Sequence, residues 1–423
     1  MTLHQIIQSA YEAFHECAPQ AKIILLHPQS RYRSVLVAKL MRSSDVQTVY
    51  YAMGQDDLDL KSFVSRMTHD MANQYATFGR HTNLLPPTAY EDRDQFDLLV
   101  QTFARDLGEV SDENLFFILD EYDRSDTADD IQLFVERLVM FLPSHCQIVL
   151  NSRTLPRLPW VSMVARGSAI LMQDDKLIEQ NFYGLTEESE DTLEIQALGP
   201  GFVWMNHSAV ETWEGHLPRL LFFFALDRPV VTRSEICYAF WPELDTDQAV
   251  NVFHVTKRRL HKALRMDVLV HDQGYYRVNP QFAVRYDVMD FVTTLMRGRD
   301  EAVTRKERMK AWQQAISMYK GPFLQGHSDS WIMRRRADYQ SGYLEALTMM
   351  ASVRLEEGRK EHALSLFHKA VNEDNSRQDL HREIMRLYAS MGRRSEAAAH
   401  YQELVSGSEV ETETEAVYSD IMS

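Results

Sequence analysis

Along the first 180 residues, apolar positions either recur every three to four places or run in short unbroken blocks. The first pattern predicts amphipathic helices and the second predicts strands buried on both faces. Residues 5–17 have helical periodicity, residues 22–27 (KIILLH) form an apolar block, and residues 35–41 return to a helical period. Residues 114–123 (NLFFILDEYD) are a second apolar block ending in carboxylates, followed by a helix over 131–142 and a third block at 146–150. Strand and helix in alternation imply an α/β domain on a parallel sheet. Residues 86–94 (PPTAYEDRD) predict a mobile loop. Residues 181–192 are polar, acidic and without period, and predict a linker.

Beyond the linker the pattern changes. Residues 193–213 alternate between turns, which predicts a small antiparallel sheet. Residues 217–226 form an apolar helix, and Thr232 caps a second helix over 233–240 with Glu235 in the capping-box position. A longer helix spans 248–265, and residues 268–271 and 275–278 flank an Asp-Gln-Gly turn as a hairpin. That order, over 193–285, is a winged helix-turn-helix with an added N-terminal sheet. Residues 286–423 are helical almost throughout. Gly358, Ala363, Phe367 and Ala370 recur at Gly392, Ala397, Tyr401 and Leu404, one 34-residue tetratricopeptide (TPR) period later. The tail at 409–421 fits the same region, with disorder as the other reading of its Glu/Thr alternation. The expected chain is multidomain: an α/β P-loop-NTPase-like domain, a winged helix, and an all-α TPR-like domain.

Composition alters this picture at one place. The 423 residues carry a net charge of −16, which argues against general coating of nucleic acid but leaves room for a local basic face. Residues 248–265 collect five Lys/Arg and no acid. Opposite the apolar stripe stand Asn251, His254, Arg258, His261, Lys262 and Arg265, with Lys257 and Arg259 on the flanks. A helix of that width fits the major groove. Arg258, Lys262 and Arg265 would then face base edges with Asn251 and His254, Lys257 and Arg259 would meet phosphates, and Arg277 would serve on the wing. Three scattered cysteines suggest neither a disulfide framework nor a zinc site, so a reducing cytoplasm is expected. No signal-peptide pattern opens the chain, and the apolar run at 220–226 is too short to span a bilayer. No metal or cofactor is expected.

The loop after the first strand stands where a Walker A sequence, GxxxxGK[ST], would stand. In residues 27–34, His27 and Tyr32 take the glycine positions, Arg33 takes the lysine position, and only Ser34 conforms. Phosphates are wrapped by inward-pointing amides, and a tyrosine obstructs that approach. Asp120 and Glu121 end a strand in the manner of a Walker B element, and Arg153 lies in the turn after the next strand. No catalytic constellation is found elsewhere, so the chain is not expected to be an enzyme.

Three resemblances follow from these residues. SRTLPRLPWVSMVARGSAILM at 152–172 resembles the signal-transduction ATPases of the maltose-regulator type, which implies a nucleotide fold whose phosphate loop has degenerated. Residues 193–285 resemble the DNA-binding part of the antibiotic regulatory proteins known as SARPs, through Leu198-Gly199, Val231–Glu235, Phe240–Glu243, the KRRLHKAL run and Gly274-Tyr275-Tyr276. Residues 315–324, Trp331 and 336–339 resemble the bacterial transcriptional activation domain that follows the winged helix in SARPs. The likeness implies promoter or operator DNA as partner, a homodimer on repeated half-sites, and contact with RNA polymerase. Two other functions stay open: a nucleotide-gated switch, and an interaction scaffold that no longer binds DNA.

Overall fold

The computed structural model describes residues 3–43, 46–75, 77–90, 92–185, 188–407 and 409–423. Residue 91 of the expected 86–94 loop and residues 186–187 of the expected linker lie outside them. The chain divides into two compact units: residues 1–195, 202–286 and 329–331 form the first, and residues 196–201, 287–328 and 332–423 the second.

The first unit opens with α1 (Leu3–Cys17), β1 (Ile23–Leu26), α2 (Arg33–Leu40), β2 (Gln47–Ala52), α3 (Leu60–Ala72), α4 (Arg93–Gly108), β3 (Leu115–Asp120), α5 (Asp129–Phe141), β4 (Cys146–Asn151), α6 (Trp160–Ala165), β5 (Ala169–Gln173) and β6 (Lys176–Leu177). The strands form one sheet in the order β2-β3-β4-β1-β5-β6, with β6 antiparallel to β5. β1 and β4 are buried along their whole length and β3 along all but its last residue. Both faces are covered, which is why these strands read as continuous apolar blocks. Phe14, Leu36 and Leu40 pack on one face with Ile24, Ile118 and Val149. On the other, Phe103 lies against Phe117 and Phe134, and Phe134 against Phe63. In the 86–94 stretch, expected as a mobile loop, the described residues hold a 3-10 turn at Pro87–Tyr90 and the start of α4 at Arg93.

The same unit continues with β7 (Thr192–Gln196), β8 (Phe202–Met205), β9 (Ser208–Ala209), α7 (Leu217–Leu226), β10 (Val231–Thr232), α8 (Arg233–Phe240), α9 (Thr246–Leu264), β11 (Leu269–Asp272), β12 (Tyr275–Val278) and β13 (Ala283–Tyr286). β10-β12-β11 form one small sheet and β13-β7-β8-β9 another. β13 runs parallel to β7. The sheet expected to be antiparallel within 193–213 therefore recruits a strand from far along the chain.

The second unit is helical: α10 (Asp287–Arg299), α11 (Arg305–Met318), α12 (Ser330–Glu356), α13 (Lys360–Glu373), α14 (Gln378–Ser390), α15 (Arg394–Gly407) and α16 (Thr412–Met422). The 34-residue period is a repeated helical hairpin. Gly358 and Gly392 follow α12 and α14 with φ of 74° and 76°, the left-handed region that ends a helix cheaply only at glycine. Ala363, Phe367, Ala370, Ala397 and Leu404 are buried in the seams. The acidic tail is helix, not disordered chain. Ile421 packs with Met385 and Ala397, and the Tyr401 and Tyr418 rings stack at 3.9 Å. Among the described residues no helix is long and apolar enough to cross a membrane.

Candidate nucleic-acid interface

Local chemistry sets the three helices of residues 217–264. α7 is apolar nearly all round and buries residues 220–226. α8 starts at a full capping box: the Thr232 hydroxyl accepts from the Glu235 amide at 3.1 Å, and the Thr232 amide donates to the Glu235 carboxylate at 2.7 Å. At the start of α9, the Asp245 carboxylate accepts from the Gln248 amide at 2.9 Å. α9 buries Ala249, Phe253, Thr256, Leu260 and Leu264, and packs on α7 and α8. The helix stops at Leu264, and Arg265 lies just past it in a left-handed conformation, φ 55°.

The structure sorts the basic residues of α9 into two sets. Asn251, His254, Arg258, Arg259, Lys262 and Arg265 are exposed, and Arg258 forms no ion pair among the described residues. Arg259 and Lys262 share one acid, Glu214, from the loop before α7. The Arg259 Nε is 3.5 Å from it and the Lys262 ammonium is in direct contact. Lys262, and then Arg259, hold that carboxylate below its usual range. His261, read from sequence as opposite the apolar stripe, and Lys257, read on its flank, are both half-buried. His261 has Nδ1 2.5 Å from Asp267, and burial pulls its pKa down against the pull of that carboxylate. Lys257 has its ammonium 5.2 Å from the centre of the Tyr276 ring, and burial lowers its pKa as well. On the hairpin, Arg277 is paired with Asp272 at 3.0 Å.

The counter-charges Glu214 and Asp272 and the ring of Tyr276 had no signal in the helix period, because none of them belongs to the helix. Exposed pairs of this kind are screened by water and hold weakly, so an anion can displace Glu214 or Asp272 at small cost.

The positions of the degenerate nucleotide loop are occupied from within the chain. The Arg31 amide donates to the Asp174 carboxylate at 3.0 Å, and the Asp174 amide donates to the Ser30 hydroxyl at 2.9 Å. A carboxylate thus takes an amide that a phosphate loop would aim at its ligand. Arg33 donates to the Pro28 carbonyl at 2.6 Å and stays within its own loop, and Ser34 is exposed. Asp120 accepts from the Glu121 amide at 2.8 Å, from the Asn151 side chain at 2.7 Å and from the Tyr50 hydroxyl at 2.8 Å. Glu121 is left-handed, φ 53°, and paired with Arg124. Arg153 donates to Asp123 at 2.9 Å. Each of these groups other than Ser34 has a local partner within the chain. His81, Asp106 and Glu109 also cluster, but Arg80 and Arg105 neutralise Glu109 at 2.7 and 3.0 Å. Asp106 accepts from the amides of His81 and Thr82. That carboxylate pair is already compensated.

Comparison with known proteins adds the following. No curated protein sequence matches the chain. Among solved structures, Mycobacterium tuberculosis EmbR in complex with a low-affinity phosphopeptide is 18% identical with a TM-score of 0.45, over 55% of this chain and 65% of that one. A signal-transduction ATPase with numerous domains and a tetratricopeptide-repeat sensor, from Pyrococcus horikoshii, is 12% identical with a TM-score of 0.24, over 97% and 64%. The chain thus spans a little under two thirds of each, and at those scores neither likeness fixes a fold or a role. Residues 286–421 match the family described as bacterial transcriptional activator domain. The helical last third of the chain is a bacterial transcriptional activator domain.

Proposed function

We propose that the protein binds specific duplex DNA without catalysis and regulates transcription in bacteria. On this reading residues 193–285 are a winged helix-turn-helix: α9 enters the major groove and the β11–β12 hairpin, the wing, lies along the adjacent backbone. The observation that carries the reading is the exposed strip Asn251, His254, Arg258, Lys262, with Arg259 beside it and Arg265 at its end, on a chain of net charge −16. A basic helix face this local suits site recognition better than non-specific coating. The activator domain at 286–421 joins it to transcription. Its TPR-like hairpins would offer a surface to RNA polymerase or to a second copy of the chain. Recovery of genomic fragments on the purified protein, followed by salt-titrated binding to the enriched sequence, tests this. Enrichment no better than bulk DNA sinks it.

A second reading, a nucleotide-gated switch, draws on the parallel sheet with Asp120 and Glu121 at the end of β3. The contacts of Asp174, Arg33 and Asp120 weigh against it, and we read residues 1–180 as a nucleotide fold that has lost turnover. The protein then needs no cofactor and is not an enzyme.

A further inference from the structure

One buried cluster in the first unit serves neither the sheet nor the basic face of α9. Arg157, from the loop before α6, is 2% exposed. Its guanidinium donates to Asp129 at 2.8 Å, is paired with Glu235, and has its central carbon 5.7 Å from the centre of the Tyr275 ring. Its own amide donates to the Gln132 side chain at 3.2 Å. Asp129 also accepts from the Thr232 hydroxyl at 2.7 Å, and the Tyr275 hydroxyl donates to the Asp126 carbonyl at 3.0 Å. Two helix turns past Asp129 on α5, the buried Glu136 accepts from the largely buried Arg228 at 2.6 Å. Asp129, Gln132 and Glu136 are spaced three and four apart, so they share one face of α5. That face grips the amino end of α8 through Asp129, while Arg157 and the Asp126 carbonyl hold Tyr275, the first residue of β12.

The gripped elements are those that must meet the DNA backbone when α9 is in the groove. The amino end of a helix presents amides and a positive dipole, a place for an anion. Here Asp129 already supplies a carboxylate to its capping residue. Tyr275 follows the wing turn at Gln273-Gly274 and is tied to the α/β segment by its hydroxyl. The recognition strip on α9 takes no part in these contacts. We propose that the α/β segment masks the winged helix, with Asp129 and the Asp126 carbonyl holding positions on α8 and the wing that the DNA backbone takes in the bound state. This rests on the DNA-binding reading above. The contacts named above are ion pairs, hydrogen bonds and one cation–π contact. Such a contact trades partners with a polyanion at lower cost, because each charged group released finds a phosphate or water.

The test uses the full chain carrying Asp129→Asn together with Glu136→Gln, both outside the winged helix. Two readouts are taken: amide hydrogen exchange across residues 228–236 and 272–278, and affinity for a short duplex carrying an enriched genomic sequence. Masking predicts faster exchange in those segments and affinity about ten-fold tighter, the gain when a masked form holds about nine-tenths of the molecules. Adding Arg258→Ala to that variant should cancel the gain. The single Glu136→Gln variant, which keeps the Arg157 cluster, should move both readouts the same way but less, and covers a double variant that fails to fold. Unchanged exchange, or faster exchange with unchanged affinity, overturns the masking. Faster exchange in a protein that binds no duplex, parent or variant, overturns the DNA-binding reading instead.

Discussion

Arg258 and Lys257 are neighbours in sequence, and the structure gives them different work. Arg258 is exposed and without an ion pair among the described residues, so truncating it leaves the fold alone, within about 0.5 kcal/mol. If it reads a guanine edge, Arg258→Ala removes about 1–3 kcal/mol of binding, roughly a five- to 150-fold loss, and relaxes preference at one base position. Lys257 lies over the Tyr276 ring, and burial already disfavours its charge. Lys257→Ala therefore forfeits a partly desolvated cation–π contact and the packing of its stem, about 1–2 kcal/mol of stability. It should leave the salt dependence of DNA binding almost unchanged, because the ammonium is engaged inside the fold. From sequence alone the same residue was expected on a phosphate, where its loss lowers the salt slope by about one. Urea denaturation and fluorescence anisotropy at several salt concentrations separate the two. A flattened slope for Lys257→Ala with an unshifted urea midpoint, or parental binding by Arg258→Ala, would refute the docking face assigned to α9.

Other consequences are open to direct measurement. A Cβ on Gly298 would stand 2.6 Å from two ring atoms of Trp312. Gly298→Ala should therefore destabilise the protein by up to about 2 kcal/mol, overpacking of about 1–3 kcal/mol offset by about 1 kcal/mol of helix propensity; a raised urea midpoint would mean that the seam between α10 and α11 yields. In the repeats, His381 Nδ1 and His400 Nε2 lie 2.9 Å apart, and burial holds His400 at about 4 and lowers His381 and His368. The unfolded chain takes protons near 6.5 while the folded one resists, so stability present above that pH falls between about 6.5 and 4. After allowance for partial solvent screening, His400 should contribute about 1–2 kcal/mol of that acid loss, and His400→Gln should remove it; identical urea-midpoint profiles for the two proteins between pH 7 and 4.5 would count against it. Calorimetry with ATP and Mg²⁺ should give no binding heat, and tight binding abolished by Asp120→Ala would restore the nucleotide switch.

Much of the architecture was legible where one local rule governs. The capping box at Thr232 and the apolar run at 217–226 set α8 and α7 at the residues their patterns mark. The stripe on α9 gave its buried face correctly, and the glycine period marked the helical hairpins. What stayed hidden depends on partners remote in sequence. Glu214 reaches Arg259 and Lys262 from the loop before α7, and β13 joins β7 across the whole intervening segment. Arg157 stands in the run LPRLP at 155–159, which has no apolar period to mark it as buried. Its burial follows only once α5 and α8 stand on either side of it, which no helical period encodes. Helices α3 and α4 do carry helical stripes, Leu60-Phe63-Val64-Met67-Met71 and Leu99-Val100-Phe103-Leu107, which match their buried faces although no element is read there from the sequence.

Asp174 carries one more consequence. The acidic side chain tied to the loop after β1 belongs to the chain itself, so it needs no ligand from solution to take that place. A scaffold that borrows its anion from its own chain has no empty and loaded forms to distinguish. Its behaviour would then be indifferent to the ratio of adenylates in the cell, holding steady through starvation and growth alike. On the proposed function, a regulator on such a base would be paced by how much of it is made and by what DNA it meets, and its DNA binding would not change when ATP is added.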